Sequence, residues 1–142
     1  MELVETVELR AQPAAVFAIV EDLGRCPEWL SIVSRANRIE GDEPAWMVDL
    51  RGRIGPLSRA KRLRMQRTEH RPPFHVRFER VEPDDRSHSP WVLDAAVAPA
   101  TDGSELTMTL HYGGALWVPM LDRMLRQEIE GSRVRLAELL SA

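Results

Sequence analysis

One carboxylate interrupts the apolar face of a long amphipathic run near the end of this chain. Between residues 116 and 140 the apolar side chains recur with the spacing of one helical face, and Glu128 and Ser132 fall on that face. An isolated buried charge is costly, so this carboxylate must be paired, hydrogen-bonded or hydrated. If it faces a substrate instead, Glu128 could serve as a general acid or base.

Tyr112 is the second residue with usable chemistry, because a phenol can polarise a substrate oxygen. Glu128 could exchange a proton with a substrate while Tyr112 polarises one of its oxygens. The simpler interpretation is that Glu128 pairs with an arginine such as Arg135, or reaches solvent at the edge of the apolar stripe. These two residues are therefore the catalytic candidates, and the sequence leaves the choice open.

The histidines and the single cysteine give no metal-ligand pattern. His111 is predicted on the outer face of a strand, and His70, His75 and His88 fall in or beside loops and outer positions. None of them shares a metal-ligand spacing with a carboxylate or with Cys26. The chain also lacks a glycine-rich phosphate loop and a Gly-x-Ser-x-Gly motif. The sequence thus predicts no metal site and no cofactor.

Length and composition indicate one cytoplasmic domain. The 142 residues fit a single domain over residues 1–142. No stretch reaches the roughly 18 consecutive apolar residues of a membrane span, and the N-terminus does not read as a signal peptide. Cys26 alone allows no internal disulfide. Lys61 is the only lysine among many arginines, which together with frequent alanine indicates a GC-rich bacterial genome.

The positive charges are concentrated in one segment. The net charge of −3 argues against a nucleic-acid-binding chain, yet residues 51–80 hold ten basic side chains and only two acidic ones, Glu69 and Glu79. These arginines could bind an anionic partner or could form a solvated sheet face with cross-strand ion pairs. No aromatic side chains alternate with them, which favours the solvated face.

Periodicity predicts one strand, a helical region, a series of strands and a final helix. The first strand covers residues 2–10, a helix follows at 13–23 with Gly24 as its stop, and a short helical turn includes residues 27–30. Short loops between the later strands favour an antiparallel meander. The predicted strands are 32–40, 45–53, 57–69, 73–81, 90–98 and 104–113.

Alternation along these strands assigns one apolar face and one polar face. The apolar, inner set is Trp46, Val48, Leu50, Phe74, Val76, Phe78, Trp91, Leu93, Ala95, Val97, Leu106, Met108, Leu110 and Tyr112. Charged and hydroxyl side chains occupy the opposite face, so one side of the sheet is solvated and the other packs against a helix or lines a cavity.

Several of these features together resemble a known superfamily. They are the opening segment Val-Glu-Leu-Arg-Ala-Gln-Pro-Ala-Ala-Val-Phe, the turn Pro27–Leu30, the meander, the Trp91 strand and the C-terminal helix. The chain resembles the START-like, Bet v 1-like helix-grip superfamily (SRPBCC), and within it the polyketide cyclase/dehydrase and lipid-transport group. The resemblance implies an α+β fold, in which a curved antiparallel sheet of about seven strands wraps around a long C-terminal helix. Two short helices are expected between strands 1 and 2.

The resemblance also implies an elongated internal cavity, with its mouth among the loops and the helix N-terminal end. The alternative is that the same large side chains fill a solid core. The predicted ligand-binding residues are Trp29, Trp46, Phe74, Phe78, Trp91, Met108, Tyr112, Trp117, Met120, Met124 and Glu128.

The predicted function is binding of a small hydrophobic molecule such as a lipid, a polyketide or an isoprenoid-like compound. The alternatives are a polyketide aromatase/cyclase acting on a poly-β-keto chain and a protein-interaction module that uses the arginine-rich sheet face. The sequence predicts no nucleic-acid partner and no membrane span, and it leaves the oligomeric state open.

Overall fold

The computed structural model describes residues 2–54, 57–84, 86–113 and 118–141. Its helices are α1 (Pro13–Val20), a 3₁₀ helix (Leu23–Glu28) and α2 (Val118–Ser141). No helix in the described ranges is long and apolar enough to cross a lipid bilayer. The strands are β1 (Glu2–Leu9), β2 (Val33–Ile39), β3 (Ala45–Ile54), β4 (Leu57–Arg71), β5 (His75–Arg80), β6 (Trp91–Ala100) and β7 (Gly103–Tyr112).

All seven strands form one antiparallel sheet in the order β1-β7-β6-β5-β4-β3-β2. The strands β2 to β7 follow one another as a meander, and β1 closes the order against β7, with Leu3 opposite Leu110. The helix α1 packs against β6 and β7, whereas α2 packs against β1 and β3. The α+β helix-grip prediction is therefore confirmed, with seven strands and two short helices between β1 and β2.

One face of the sheet forms the core with the helices. The apolar stripe of α2 contributes Leu125, Ile129 and Leu136, all buried, and Ser132 is buried on the same face. Ser132 Oγ donates a hydrogen bond to the carbonyl oxygen of Ile129, which satisfies the hydroxyl inside the core. The inner-face residues predicted for β3, β6 and β7 are buried or half-buried, as alternation requires.

Phe74 does not belong to the inner face, and its predicted place there is wrong. β5 begins only at His75, and Phe74 lies in the preceding turn with 51% of its surface exposed. Its amide donates to the carbonyl oxygen of Arg71 over 2.8 Å, which closes the turn. Two consecutive prolines, Pro72 and Pro73, cannot donate ladder hydrogen bonds, so the strand starts after them.

A β-bulge in β4 changes which residues face the helices. The register with β5 shifts between Arg67 and Glu69, so that Glu69 pairs opposite Arg77 and His70 opposite Val76. His70, which the predicted strand 57–69 leaves at the edge of a loop, lies within β4. Its ring stacks on Phe17 of α1 with 5.8 Å between centroids. An extra residue in one strand reverses the faces of all that follow.

The segment after α1 also differs from the prediction. α1 ends at Val20, three residues before the predicted end, and Gly24 lies inside the 3₁₀ helix rather than stopping α1. The Asp22 carboxylate accepts a hydrogen bond from the Gly24 amide over 2.9 Å and caps this short helix.

Two glycines with positive φ offer a matched test of backbone packing. Gly103 has φ +152°, and a Cβ there would lie 2.1 Å from the carbonyl oxygen of Leu9, whereas Gly41 has φ +153° and nothing within 4 Å. We expect Gly103→Ala to lower the free energy of unfolding by roughly 3 kcal/mol or more and Gly41→Ala by only about 1 kcal/mol, measured by urea denaturation. Equal losses of unfolding free energy in the two variants would show that the backbone relieves the clash between the new Cβ and the Leu9 carbonyl oxygen at little cost.

Candidate functional site

A small cavity lies between the concave face of the sheet and α2. Its volume is about 60 Å³. The 3₁₀ helix, the segment after it, five strands and α2 all contribute to the wall, so the cavity sits where the layers of the fold meet. The lining residues are Leu23, Cys26, Leu30, Ile32, Val33, Val48, Leu50, Leu63, Met65, Trp91, Leu93, Met108, Leu110, Leu125 and Ile129.

The size of this cavity decides what it holds in the conformation described. A volume of about 60 Å³ is less than half that of an engineered apolar cavity of about 150 Å³ that binds benzene. Sites for small organic ligands typically span about 300–1,000 Å³. Binding of such a ligand therefore requires the segments of the wall to move apart. In the absence of a ligand, the lining side chains nearly fill the space.

The described lining is apolar, so it suits the binding of an apolar molecule and offers no acid, base or nucleophile near neutral pH. Cys26 is the one ionisable group among the described lining residues. Burial raises the pKa of its thiol to about 12, so the sulfur remains protonated and non-nucleophilic near neutral pH.

The predicted site residues divide into cavity-lining and core-filling groups. Trp91 and Met108 line the cavity. Trp46 and Phe78 are buried and pack edge to face at 5.5 Å between centroids, but neither is among the lining residues. The rings of Trp46 and Phe78 therefore fill the core beside the cavity, whereas Trp91 forms part of its wall.

The remaining aromatic candidates lie nearby. Tyr112 is buried and stacks on Trp91 with 5.6 Å between ring centroids. Trp29 is also buried, and its indole N–H and that of Trp91 have no hydrogen-bond partner among the residues described. Met124 is half-buried against the core.

Two further predicted site residues lie beyond the structural description. Trp117 falls outside the described residues. Met120 lies in α2, but its side chain is also outside the description.

Glu128 is held by Ser31, a partner that the sequence did not predict. The Ser31 hydroxyl donates a short hydrogen bond to Glu128 Oε2. Arg135, the predicted partner, instead has a buried Nη1 without a hydrogen-bond partner in the described part of the chain. The contact joins α2 to the segment after the 3₁₀ helix, and the residues flanking Ser31, Leu30 and Ile32, both line the cavity.

The sequence analysis missed a cation at one end of the cavity wall. Lys61 Nζ lies 5.9 Å from the ring centroid of Trp91 and donates to Ser89 Oγ over 3.1 Å. Partial burial and the nearby charge of Arg80 lower the pKa of Lys61 below its ordinary value. The sequence could have indicated this position, because Lys61 is two residues from Leu63 in β4 and alternation places both on the inner face.

The arginines of the outer face form ion pairs across strands. Arg62 Nε lies 2.7 Å from Asp49 Oδ1, and this arginine holds the pKa of Asp49 below its usual range. Arg77 Nε lies 3.0 Å from Asp94 Oδ1. These contacts match the cross-strand pairs expected of a solvated face.

One histidine joins this outer network. His75 lies 2.6 Å from Asp94 and 3.1 Å from Glu69, and one potential ligand atom from each of the three lies within 4.8 Å of the others. Sequence spacing could not show this cluster because its members come from three strands. Arg77 already donates to Asp94, so the arrangement is that of an ion-pair network.

Comparison with known proteins assigns the chain to a family. The sequence profile of the polyketide cyclase / dehydrase and lipid transport family matches residues 1–141. The chain belongs to this family. No curated protein matches it.

Solved structures show that the family fold is shared with distant proteins. A conserved protein from Geobacillus kaustophilus is 16% identical with a TM-score of 0.76, covering 99% of this chain and 95% of that one. A protein from Thermus thermophilus is 18% identical with a TM-score of 0.75, covering 97% and 95%. The Zhui aromatase/cyclase from Streptomyces sp. R1128 is 9% identical with a TM-score of 0.74, covering 99% and 93%.

Filling the cavity should not destabilise the protein. Val48 lines the cavity, and Val48→Phe places a ring in a space of about 60 Å³. We expect the free energy of unfolding to stay equal or rise by about 1 kcal/mol, since removing a void returns roughly 24 cal/mol per Å³.

The control for this substitution is Val76→Phe. Val76 is fully buried but lies outside the cavity lining. Overpacking there should cost about 1–3 kcal/mol in the same urea titration. A similar cost at both positions would mean that the cavity cannot accept a ring.

Proposed function

We propose that this protein binds a small hydrophobic ligand, such as a lipid, a polyketide or an isoprenoid-like molecule, in the cavity between its sheet and α2. The observation that carries the proposal is the apolar cavity itself, which lies between the sheet and α2 and is lined mainly by aliphatic side chains. The membership in a family described by polyketide cyclisation and lipid transport supports the same ligand class. Composition supports a bacterial, cytoplasmic setting for this activity.

Ligand entry requires the cavity wall to open, and the contact of Ser31 with Glu128 is one place where α2 meets another segment beside the cavity. This hydrogen bond joins two wall segments through half-exposed polar groups rather than through sheet hydrogen bonds. A hydrogen bond of this kind contributes about 0.5–1.5 kcal/mol net, somewhat more when one partner is charged. Separating α2 from the segment at Ser31 therefore enlarges the cavity without breaking the sheet.

The proposal predicts that filling the cavity abolishes binding. An apolar fluorescent probe, 1-anilinonaphthalene-8-sulfonate or a neutral analogue, should bind the wild-type protein with about 1:1 stoichiometry. Val48→Phe should lose at least about tenfold in affinity, because a single ring occupies the available space.

Val4→Phe is the matched control for probe binding. It makes the same substitution on β1 at a side chain that is 51% exposed, so affinity should not change. Native mass spectrometry of the purified protein then tests for a bound molecule of natural origin. Unchanged probe affinity in Val48→Phe would place the binding site elsewhere.

A second candidate function is ring closure or dehydration of a poly-β-keto chain. The observation that favours it is the position of Glu128, one residue before the lining residue Ile129 on α2, where movement of α2 would bring the carboxylate to a bound ligand. The described lining supplies no other acid or base near neutral pH, since the Cys26 thiol has a pKa of about 12. A reaction in this cavity would therefore depend on Glu128, with Tyr112 as an oxygen-polarising partner.

Glu128→Gln tests the catalytic candidate. Turnover of a synthetic poly-β-keto thioester should fall by at least about a hundredfold, as is typical for loss of a general acid or base, while binding of the substrate changes little. Ser31→Ala removes the same hydrogen bond but keeps the carboxylate, so it separates catalysis from the structural contact. Full activity of Glu128→Gln would remove this residue from the mechanism.

The protein-interaction alternative has less support from the contacts of the outer face. Arg62 and Arg77 are both held by carboxylates there, which reduces the net positive potential that an anionic partner would meet.

A further inference from the structure

We propose that the ligand is an apolar carboxylic acid, and that the Lys61 ammonium binds its carboxylate at the end of the cavity beside Trp91. This inference rests on the proposed ligand-binding function and specifies its ligand class. The inference requires three features: a cation next to the cavity, the absence of a protein anion that already neutralises this cation, and an apolar wall for the rest of the ligand.

The strand register places Lys61 at the cavity wall. Lys61 pairs opposite Leu50 of β3, and Leu50 lines the cavity. Two residues further along β4, Leu63 lies on the same face and also lines it. Lys61 Nζ is 5.9 Å from the ring centroid of Trp91, which is itself a lining residue. The ammonium thus stands where the apolar lining meets solvent.

The charges around Lys61 leave one positive charge uncompensated. Arg80 Nε lies 2.9 Å from Glu82 Oε1, and both side chains are largely buried. Burial alone would raise the pKa of Glu82, but hydrogen bonds from the Arg64 amide and from Arg80 outweigh it and hold that pKa below the usual value. Arg80 and Glu82 therefore neutralise each other near neutral pH.

Lys61 itself has no carboxylate partner among the described residues. Its ammonium donates to the hydroxyl of Ser89, which also accepts from Arg80, and it contacts the face of Trp91. Lys61 is only partly shielded from solvent, and a hydroxyl and an aromatic ring compensate its charge less well than an anion does. The excess of one positive charge fits a ligand with one negative charge.

A carboxylate matches this site better than a phosphate monoester does. A carboxylate carries a single charge, whereas a phosphate monoester carries nearly two near neutral pH. The second charge would lie against an apolar wall without a described partner. The remainder of the ligand would be aliphatic or aromatic, because the described lining beyond Trp91 is apolar apart from the protonated thiol of Cys26.

The test compares ligands that share one alkyl chain and differ in the head group. Decanoic acid, decanol and decyl phosphate are titrated into the protein near pH 7.5, followed by tryptophan fluorescence and calorimetry. The wild-type protein should bind decanoic acid at least about tenfold more tightly than decanol, as expected for one charge-assisted hydrogen bond. Decyl phosphate should bind more weakly than decanoic acid, and tighter phosphate binding would overturn the carboxylate assignment.

Lys61→Met supplies the decisive variant. It keeps an unbranched side chain over Trp91 but removes the charge, so affinity for decanoic acid should fall by about tenfold or more while affinity for decanol stays the same. Arg62→Met is the matched control, because it removes a cation from the next residue of the same strand, where Arg62 pairs with Asp49. It should alter neither affinity.

The outcomes separate the two levels of the proposal. Equal binding of acid and alcohol that Lys61→Met does not change would overturn the role of Lys61 and leave the cavity as the binding site. If none of the three ligands binds, the hydrophobic-ligand function fails and the inference about Lys61 fails with it. Equal losses for acid and alcohol in Lys61→Met would assign Lys61 a packing role and also overturn the inference.

Discussion

The two-residue period of the β-strands is the constraint on which the rest of this structure depends. Each strand is paired to the next in a defined register, so the parity of a residue decides whether it meets α2 or solvent. The core, the cavity lining and the ion pairs of the outer face all follow from this rule. The shift between Arg67 and Glu69 reverses it locally, which brings Glu69 to His75 on one side and His70 to Phe17 on the other.

Sequence reasoning recovered the architecture because strand alternation and the stripe of α2 are strong, local signals. It failed where the chain departs from regular geometry. Phe74 was assigned to a strand that begins only after two prolines. The contact of His70 with Phe17 was not foreseen, because the bulge that turns His70 toward α1 leaves no clear mark in the alternation. Close approaches of this kind are also invisible in the sequence: a Cβ at Gly113 would lie 2.7 Å from Pro90, so this position requires the small size of glycine.

The candidate site was less predictable, because a cavity forms where packed side chains leave a gap and this depends on tertiary packing. Large side chains are the natural candidates from sequence, yet Trp46 and Phe78 pack against each other and fill the core. The wall is made mainly by aliphatic residues of medium size, which occur throughout the inner face and carry no individual signal. Contacts across distant segments, such as that between Ser31 and Glu128, depend on tertiary geometry and have no counterpart in local spacing.

The linear strand order has a mechanical consequence. β1 and β2 lie at opposite edges of the sheet, with five strands between them. In a closed barrel, strand number and shear fix the bore, so enlarging it would require breaking the ladder. An open sheet obeys no such closure condition, because its curvature can relax by small changes in twist spread over many strands. The ligand binding proposed above therefore does not require the strand ladder to break.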